Sequence, residues 1–233
     1  KAKAEAGRAE GKHMGVGISL GGFLATTGAI DAAEVGIELL PGGKILFSNT
    51  WEDVGQGGDI GSITHIVKAL EPLGVTPDQI VLRMNDSKTC PDTGLAAASR
   101  LHYMCGNATI DGANKLMDAM RKPDGTYRTY EEMVAEGIPT KYIGHYDQFN
   151  LGIDHALDPN DGSGNKDATF MYAVNTCLVD VDVNTGKTQV LGYTCCADVG
   201  TIGNKLAVDG QAYGGLSHSI GFALSEDYNP DQK

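Results

Sequence analysis

The fold is decided by the stretch WEDVGQGGDIGS, residues 51–62, which follows the apolar run KILFSNT, residues 44–50. Glycine occupies four of the seven positions from Gly55 to Gly61. A glycine-rich turn between a strand and a helix lets a ligand approach the backbone, and amides at a helix N-terminus bind phosphate groups. The stretch predicts a strand–turn–helix unit. Its amides either face a ligand or belong to a purely structural turn.

Two hairpins in the sequence resemble each other, since each has two strand-like runs around a glycine-containing turn. The strand-like runs are residues 34–40 and 45–50 in the first hairpin, and residues 176–183 and 188–193 in the second. Each hairpin leads into the tripeptide Asp-Val-Gly and a glycine-rich turn. The tripeptides are residues 53–55 and 198–200.

A helical pattern follows each turn, at residues 61–70 and 203–223, and we expect Gly214-Gly215 to interrupt the second. Residues 80–84 read as a further strand. We therefore predict an α+β fold of duplicated strand–strand–helix(–strand) units, with helices packed on mixed or antiparallel sheets.

The predicted organisation has four parts. They are a lead-in segment at 1–30, a first α+β unit at 31–120, a connecting insert at 121–170 and a second α+β unit at 171–233 that is incomplete at its C-terminus. Thr129-Tyr130-Glu131-Glu132 fits a capping box that starts a short helix. A further helix is predicted from about Ala97, and its candidate core positions are Leu101, Met104, Ala108, Leu116 and Met120.

Composition restricts the class of protein. The formal net charge is −12, from 18 basic and 30 acidic residues, and no cluster of Lys and Arg suits a nucleic acid. No apolar run approaches the roughly 20 residues that span a bilayer, so we expect a soluble, cytoplasmic protein without a membrane partner. The five cysteines show no C-x-x-C spacing, which favours free thiols over a metal site. The charged start without methionine indicates an excerpt of a longer chain.

The glycine-rich turn does not match the common nucleotide-binding motifs. A P-loop needs a lysine after its last glycine, and Gly55, Gly57 and Gly61 give G-x-G-x-x-x-G instead of the dinucleotide fingerprint. Two other segments offer similar chemistry. Residues 94–100 combine small side chains with a hydroxyl and a cation before a helix, and Asn204 and Gln211 share a face of the last predicted helix. Uncharged donors and small residues suit a large, flat ligand that carries phosphates.

Three short motifs carry a resemblance to a known family. Gly55-Gln56-Gly57, Ala97-Ala98-Ser99 with Gly106, and Asp209-Gly210-Gln211 occur in the order found in the molybdenum hydroxylases, the xanthine oxidase and aldehyde oxidase family. Wider stretches resemble the bacterial aldehyde oxidoreductases of this family that carry molybdopterin cytosine dinucleotide. These stretches are residues 50–53, 95–103, 127–140 and 198–226.

The resemblance implies part of a molybdenum-cofactor-binding region. It implies molybdopterin cytosine dinucleotide with molybdenum as the cofactor, no metal ligand from the protein, and hydroxylation of an aldehyde with oxygen from water. The family's base is a glutamate in a Gly-Glu pair, and electrons leave through [2Fe-2S] clusters. None of the ten glutamates here follows a glycine. We therefore expect this chain to hold cofactor without catalytic residues or clusters of its own, and the isolated fragment to be inactive. Its partners would be the rest of the same polypeptide and the aldehyde substrate. A homodimer of the full enzyme is one possible assembly.

Each candidate residue has a structural alternative. Gln56 could bind the pterin or stabilise its own turn, Asp59 and Ser99 could cap helices, and Arg100 could form a surface ion pair. The predicted cofactor-binding residues are Gly55, Gln56, Gly57, Gly58, Asp59, Ala98, Ser99, His102, Asn204 and Gln211. Two other functions stay open at this point: a non-catalytic pterin carrier or insertase, and an interaction module whose glycine turns only pack closely.

Overall fold

The computed structural model describes residues 2–25, 31–148, 157–164, 169–227 and 229. The α-helices are α1 (Ala2–Ala9), α2 (Gly58–Ala69), α3 (Gly106–Met120), α4 (Tyr130–Ala135) and α5 (Lys205–Leu224). The strands are β1 (Met14–Ala25), β2 (Ala32–Leu39), β3 (Ile45–Asn49), β4 (Ile80–Met84), β5 (Lys141–Asp147), β6 (Thr169–Val181) and β7 (Thr188–Asp198). A π-helical turn, Leu101–Cys105, precedes α3.

The chain divides into two compact units. The larger unit is Leu24–Phe170, and the smaller unit combines Lys1–Phe23 with Met171–Lys233. The predicted boundaries differ from this division at two places. Strand β1 of the predicted lead-in lies beside β6, and β5 of the predicted insert pairs with β2, because edge positions in both sheets are filled by strands distant in sequence.

The larger unit contains a four-stranded sheet in the order β4-β3-β2-β5. Strand β2 runs antiparallel to β3 and β5, and β3 runs parallel to β4. Helix α3 packs across β2 and β5. Glycine permits this packing, because a Cβ on Gly144 would lie 2.0 Å from the Ala108 carbonyl oxygen.

The core of the larger unit confirms the sequence pattern around α3. The five predicted core positions, Leu101, Met104, Ala108, Leu116 and Met120, are all buried. The predicted capping box is also confirmed, because Thr129 and Glu132 exchange hydrogen bonds at the start of α4.

The helical segment before α3 begins later than expected. The sequence favours a helix from about Ala97, whereas the π-helical turn starts at Leu101. Ala98 and Ser99 have φ angles of 46° and 58°, in the left-handed region that a right-handed helix excludes. The prediction of the helix start was therefore wrong, because backbone conformation at these two residues overrides their helix propensity.

The smaller unit contains a three-stranded sheet in the order β1-β6-β7, in which β6 and β7 form an antiparallel hairpin. Helix α5 continues through Gly214-Gly215, so the predicted interruption is wrong. This helix buries none of its residues, unlike the predicted helices packed on a sheet. Among the described residues, no helix is long and apolar enough to cross a membrane.

Both units contain the predicted order of two strands followed by a helix. The tripeptides also share a local geometry. The Gly55 amide donates to Asp53 Oδ1 at 2.8 Å, and the Gly200 amide donates to Asp198 Oδ1 at 3.1 Å. Both glycines have positive φ, 109° and 70°. Superposition of the complete units remains a prediction.

Candidate functional site

The glycine-rich turn is closed by its own aspartate. Asp53 Oδ1 accepts hydrogen bonds from the amides of Gly55 (2.8 Å) and Gly57 (3.3 Å), and Oδ2 accepts one from Asp59 (3.2 Å). These bonds, that from Gly55 foremost, hold the pKa of Asp53 below its usual value. A carboxylate thus lies at the N-terminus of α2, because it satisfies the same unpaired amides that a phosphate would bind.

Gln56 is also engaged within the turn. Its Oε1 accepts from the Val54 amide at 2.7 Å, and its Nε2 donates to the Glu52 carbonyl at 2.7 Å. This geometry is that of a turn-stabilising amide. A cofactor that bound Gln56 would have to replace both hydrogen bonds.

The start of α2 packs against Trp51. Gly58 is buried, and a Cβ there would lie 2.8 Å from the Trp51 ring and 2.9 Å from the Glu52 carbonyl oxygen. Gly57, not Asp59, is the N-cap residue, and it has φ 84°. The alternative that the Asp59 side chain caps α2 is therefore wrong, since Asp53 takes that role.

The segment that contains Ala98 and Ser99 lies beside this turn. Glu52 Oε2 accepts a hydrogen bond from the Ala96 amide at 2.7 Å. Further along, the rings of His65 on α2 and His102 on the π-helical turn meet edge to face, with centroids 4.7 Å apart. Two of the three predicted cofactor-binding segments are thus neighbours within one compact unit.

Ala98 and Ser99 present unpaired donors. Their backbone amides and the Ser99 hydroxyl make no hydrogen bond with the part of the chain that the structure describes, and Ser99 is exposed. Successive amides in turn conformations of this kind form anion-binding concavities. Left-handed conformations cost non-glycine residues roughly 1–2 kcal/mol each and concentrate at functional sites. The Ser99 hydroxyl caps no helix.

The pKa values of the two histidines both lie below the usual value, which favours the neutral ring. Burial chiefly lowers the pKa of His65, opposed by a hydrogen bond of 2.7 Å between its Nδ1 and the Gly61 carbonyl. His102 keeps contact with solvent, and its partial burial, followed by the proximity of His65, lowers its pKa. The lowered pKa favours a neutral ring at His102, which follows Ser99 by three residues along the chain.

Arg100 is a structural group. Its side chain is only 2% exposed and forms a two-bond ion pair with Asp31, so it is neither a ligand cation nor a surface ion pair. The alternative of a surface salt bridge is wrong because the guanidinium lies beneath the chain that precedes it.

The third predicted segment belongs to the smaller unit. Asn204 is the N-cap residue of α5, and its Oδ1 accepts from the Ala207 amide at 3.2 Å. Gln211 lies on α5 with an exposed side chain that has no hydrogen bond to described residues. Gln211 is thus open to a ligand, whereas Asn204 already has a capping role.

Sequence reasoning did not predict the contacts of Glu52, His65 and Arg100. It favoured a turn or cap role for Asp53, and the hydrogen bonds of this residue confirm that role. Asp53 carried a signal, because aspartate two residues before glycine favours a turn closed by its side chain. The bond from Glu52 to Ala96 joins residues 44 positions apart, and no local pattern predicts it.

The donor set fits a phosphorylated pterin in its chemistry. Ala98 and Ser99 supply two amides and a hydroxyl, and among the described residues nothing lies within 4 Å of a Cβ placed on Gly55 or Gly57. Within the described ranges, no group of three or more His, Cys, Asp or Glu side chains could hold a metal ion. The amides of Ala98 and Ser99 and the Ser99 hydroxyl suit an anionic group bound through hydrogen bonds.

A family model described as a molybdopterin cofactor-binding domain matches residues 1–233. The aldehyde oxidoreductase of Megalodesulfovibrio gigas is 42% identical over 219 residues, which covers 94% of this chain and 24% of that protein.

Two solved structures are similar to this chain over nearly its whole length. The aldehyde oxidoreductase from Desulfovibrio gigas gives a TM-score of 0.91 at 40% identity and covers 97% of this chain and 25% of that one. The aldehyde oxidoreductase from Desulfovibrio desulfuricans gives 0.88 at 40% identity with the same coverage. The chain spans about a quarter of the length of these relatives.

Proposed function

The chain belongs to the molybdopterin cofactor-binding domain family, and on this premise we propose that it holds molybdopterin cytosine dinucleotide within an aldehyde oxidoreductase. The observation that carries the proposal is the free donor set at Ala98 and Ser99. The aldehyde as substrate rests on 42% identity to a protein of that name.

The amides of Ala98 and Ser99 bind an anionic oxygen of the cofactor, most simply one of the pyrophosphate oxygens. Among the described residues they have no acceptor to give up, so binding needs no exchange of hydrogen bonds there. The Ser99 hydroxyl adds a third donor. This assignment moves the phosphate contact from the glycine-rich turn to the neighbouring segment, since Asp53 already accepts from the amides of the turn.

The other predicted contacts have different roles. Gly55, Gly57, Gly58 and Asp59 shape the wall beside the cofactor through their backbone. Gln56 contributes only after its two turn hydrogen bonds are exchanged. His102 offers a neutral ring to the pterin edge.

For the smaller unit taken by itself, we propose that the amide of Gln211, which has no hydrogen bond to described residues, is a cofactor contact and that Asn204 orients the start of α5.

When bound, the molybdenum cofactor supplies the redox centre that hydroxylates an aldehyde to a carboxylic acid with oxygen from water. This chain's residues bind and orient that cofactor. We assign the catalytic base, the substrate-binding residues and the [2Fe-2S] clusters to other parts of a longer polypeptide. A carrier or insertase is not favoured, because the 42% identical relative is an aldehyde oxidoreductase.

The exposed apolar surface of helix α5 favours a partner within that longer polypeptide. It buries no residue, and Leu206, Tyr213 and Phe222 are 83%, 68% and 79% exposed. A helix with large apolar residues around its surface is normally covered. We propose that the rest of the same polypeptide covers it.

The test uses the full-length protein and measures bound molybdenum and cytidine nucleotide. We expect Ser99→Ala and Gln211→Ala to weaken retention by about tenfold to a hundredfold, the effect of losing a hydrogen bond to a charged group. Gln79→Ala is the matched control, since Gln79 binds the Gly43 carbonyl away from this segment. Equal cofactor content in all three variants would refute the two contacts.

A further inference from the structure

The loop before the π-helical turn is closed by one side chain. Arg100 uses every guanidinium N–H: Nε and Nη2 bind Asp31, Nη2 also donates to the Ala32 carbonyl at 2.6 Å, and Nη1 donates to the carbonyls of Thr93 (2.7 Å) and Leu95 (3.2 Å). Five donors in a rigid fork therefore all have acceptors.

The chain wraps tightly around this guanidinium. Gly94 has φ 78°, and a Cβ there would lie 2.3 Å from Arg100 Nη2. The Arg100 side chain thus binds the carbonyls of residues 93 and 95 at the start of the loop 93–100, and Arg100 is also the last residue of this loop. Arg100 therefore fixes both ends of the loop.

The residues between Leu95 and Arg100 must therefore form a tight turn that brings the chain back to the guanidinium. Ala98 and Ser99 do so in the left-handed region, which residues with a Cβ rarely adopt unless their surroundings enforce it. The Arg100 amide donates to the Ala97 carbonyl at 2.7 Å, which tightens the same turn. The fixed loop ends account for a conformation that the local sequence disfavours.

We propose that Arg100, held by Asp31, is a positioning residue for cofactor binding: it enforces the left-handed turn that leaves the Ala98 and Ser99 amides free. This inference rests on the proposed function. Loss of the ion pair would let the loop relax toward ordinary backbone conformations. The two amides would then diverge from the positions that suit a phosphate.

A purely structural role for Arg100 makes a different prediction, and Arg128 provides the matched control. Arg128 is another largely buried arginine of the larger unit, and it donates to Glu136 at 2.8 Å and to the Arg121 carbonyl at 2.7 Å. It joins the end of α3 to α4, outside the loop. Arg100→Lys and Arg128→Lys both keep the charge and lose the fork of donors.

The experiment measures release of molybdenum and cytidine nucleotide from the full-length protein, together with its midpoint of thermal unfolding. We expect both lysine variants to lower the midpoint. Only Arg100→Lys should release cofactor faster, by about tenfold or more. A relaxed loop would have to return at least one residue to the costly left-handed conformation in order to bind. Asp31→Asn, a milder change, should act in the same direction and covers the case in which Arg100→Lys does not fold.

Rescue by glycine separates positioning from stability. Glycine adopts positive φ without the Cβ penalty. Ala98→Gly in the Arg100→Lys background should therefore recover most of the retention, while Ala97→Gly in the same background should not, because Ala97 does not have positive φ.

Three results would overturn the inference. They are retention in Arg100→Lys and Asp31→Asn equal to that in Arg128→Lys, equal rescue by both glycine variants, or no rescue by Ala98→Gly. A parent protein without molybdenum or pterin would instead refute the proposed function, and the positioning role with it.

Discussion

Alanine at two glycines of α2 should have opposite effects on stability. At Gly58, a Cβ would lie 2.8 Å from the Trp51 ring and 2.9 Å from the Glu52 carbonyl oxygen. The second contact is with backbone, so a side-chain rotation cannot relieve it, and overpacking costs about 1–3 kcal/mol. At Gly61, the nearest Trp51 atom would be 3.9 Å away, an ordinary contact.

Helix propensity works against the clash. Alanine in place of glycine stabilises a helix interior by about 1 kcal/mol, and by less in the first turn, where Gly58 lies. We therefore expect Gly58→Ala to lower the free energy of unfolding by roughly 1–2 kcal/mol and Gly61→Ala to raise it by about 0.5–1 kcal/mol.

Urea unfolding followed by tryptophan fluorescence measures both changes. The chain has a single tryptophan, and Trp51 is buried at this contact, so the signal reports on the larger unit. With an m-value of about 2 kcal/mol/M, Gly58→Ala should lower the midpoint by about 0.5–1 M. A midpoint for Gly58→Ala at or above that of Gly61→Ala would refute the packing argument.

Three further predictions use the same fluorescence signal. The unfolding free energy should fall as pH drops below about 6.5, because the unfolded state protonates His65 while burial lowers the pKa of His65 in the folded state. His65→Gln should make the unfolding free energy depend less on pH, and an unchanged pH dependence would contradict this prediction. Gly144→Ala should lower the free energy of unfolding by about 3 kcal/mol or more, because its Cβ would lie 2.0 Å from the Ala108 carbonyl oxygen. Gly36→Ala, whose Cβ contacts are 3.4 Å or longer, should change it by no more than about 1 kcal/mol. Equal unfolding midpoints for the two variants would refute the close approach at Gly144. Thr129→Ala should cost about 1 kcal/mol through loss of the α4 cap, and an unchanged midpoint would show that the cap is dispensable.

Local patterns predicted those elements whose causes are local. The hairpin strands β2 and β3, the strand β4 and the cap at Thr129 follow from periodicity and turn chemistry within a few residues. The buried positions along α3 follow from helical spacing. In each case neighbours in sequence are also neighbours in space.

Features that depend on distant contacts were not predictable in this way. Strand β5 joins the sheet by pairing with β2, more than 100 residues earlier. The late helix start follows from the loop that Arg100 closes, through an ion pair with Asp31 that spans 69 positions. Local motifs could not indicate either contact, and the cofactor-binding residues that the motifs suggested remain predictions.

The two copies of Asp-Val-Gly favour the structural interpretation of the glycine-rich turn. In both copies the aspartate accepts from the glycine two residues later, so the shared motif is a turn device. In the first copy α2 begins five residues after the aspartate, and Asp53 also reaches the amides of Gly57 and Asp59. A phosphate there would have to displace a carboxylate in a chain whose net charge is already −12. Ala98 and Ser99 impose no such exchange, because their amides have no acceptor among the described residues. The glycines thus shape the wall of the proposed site, and the strained turn next to them provides its donors.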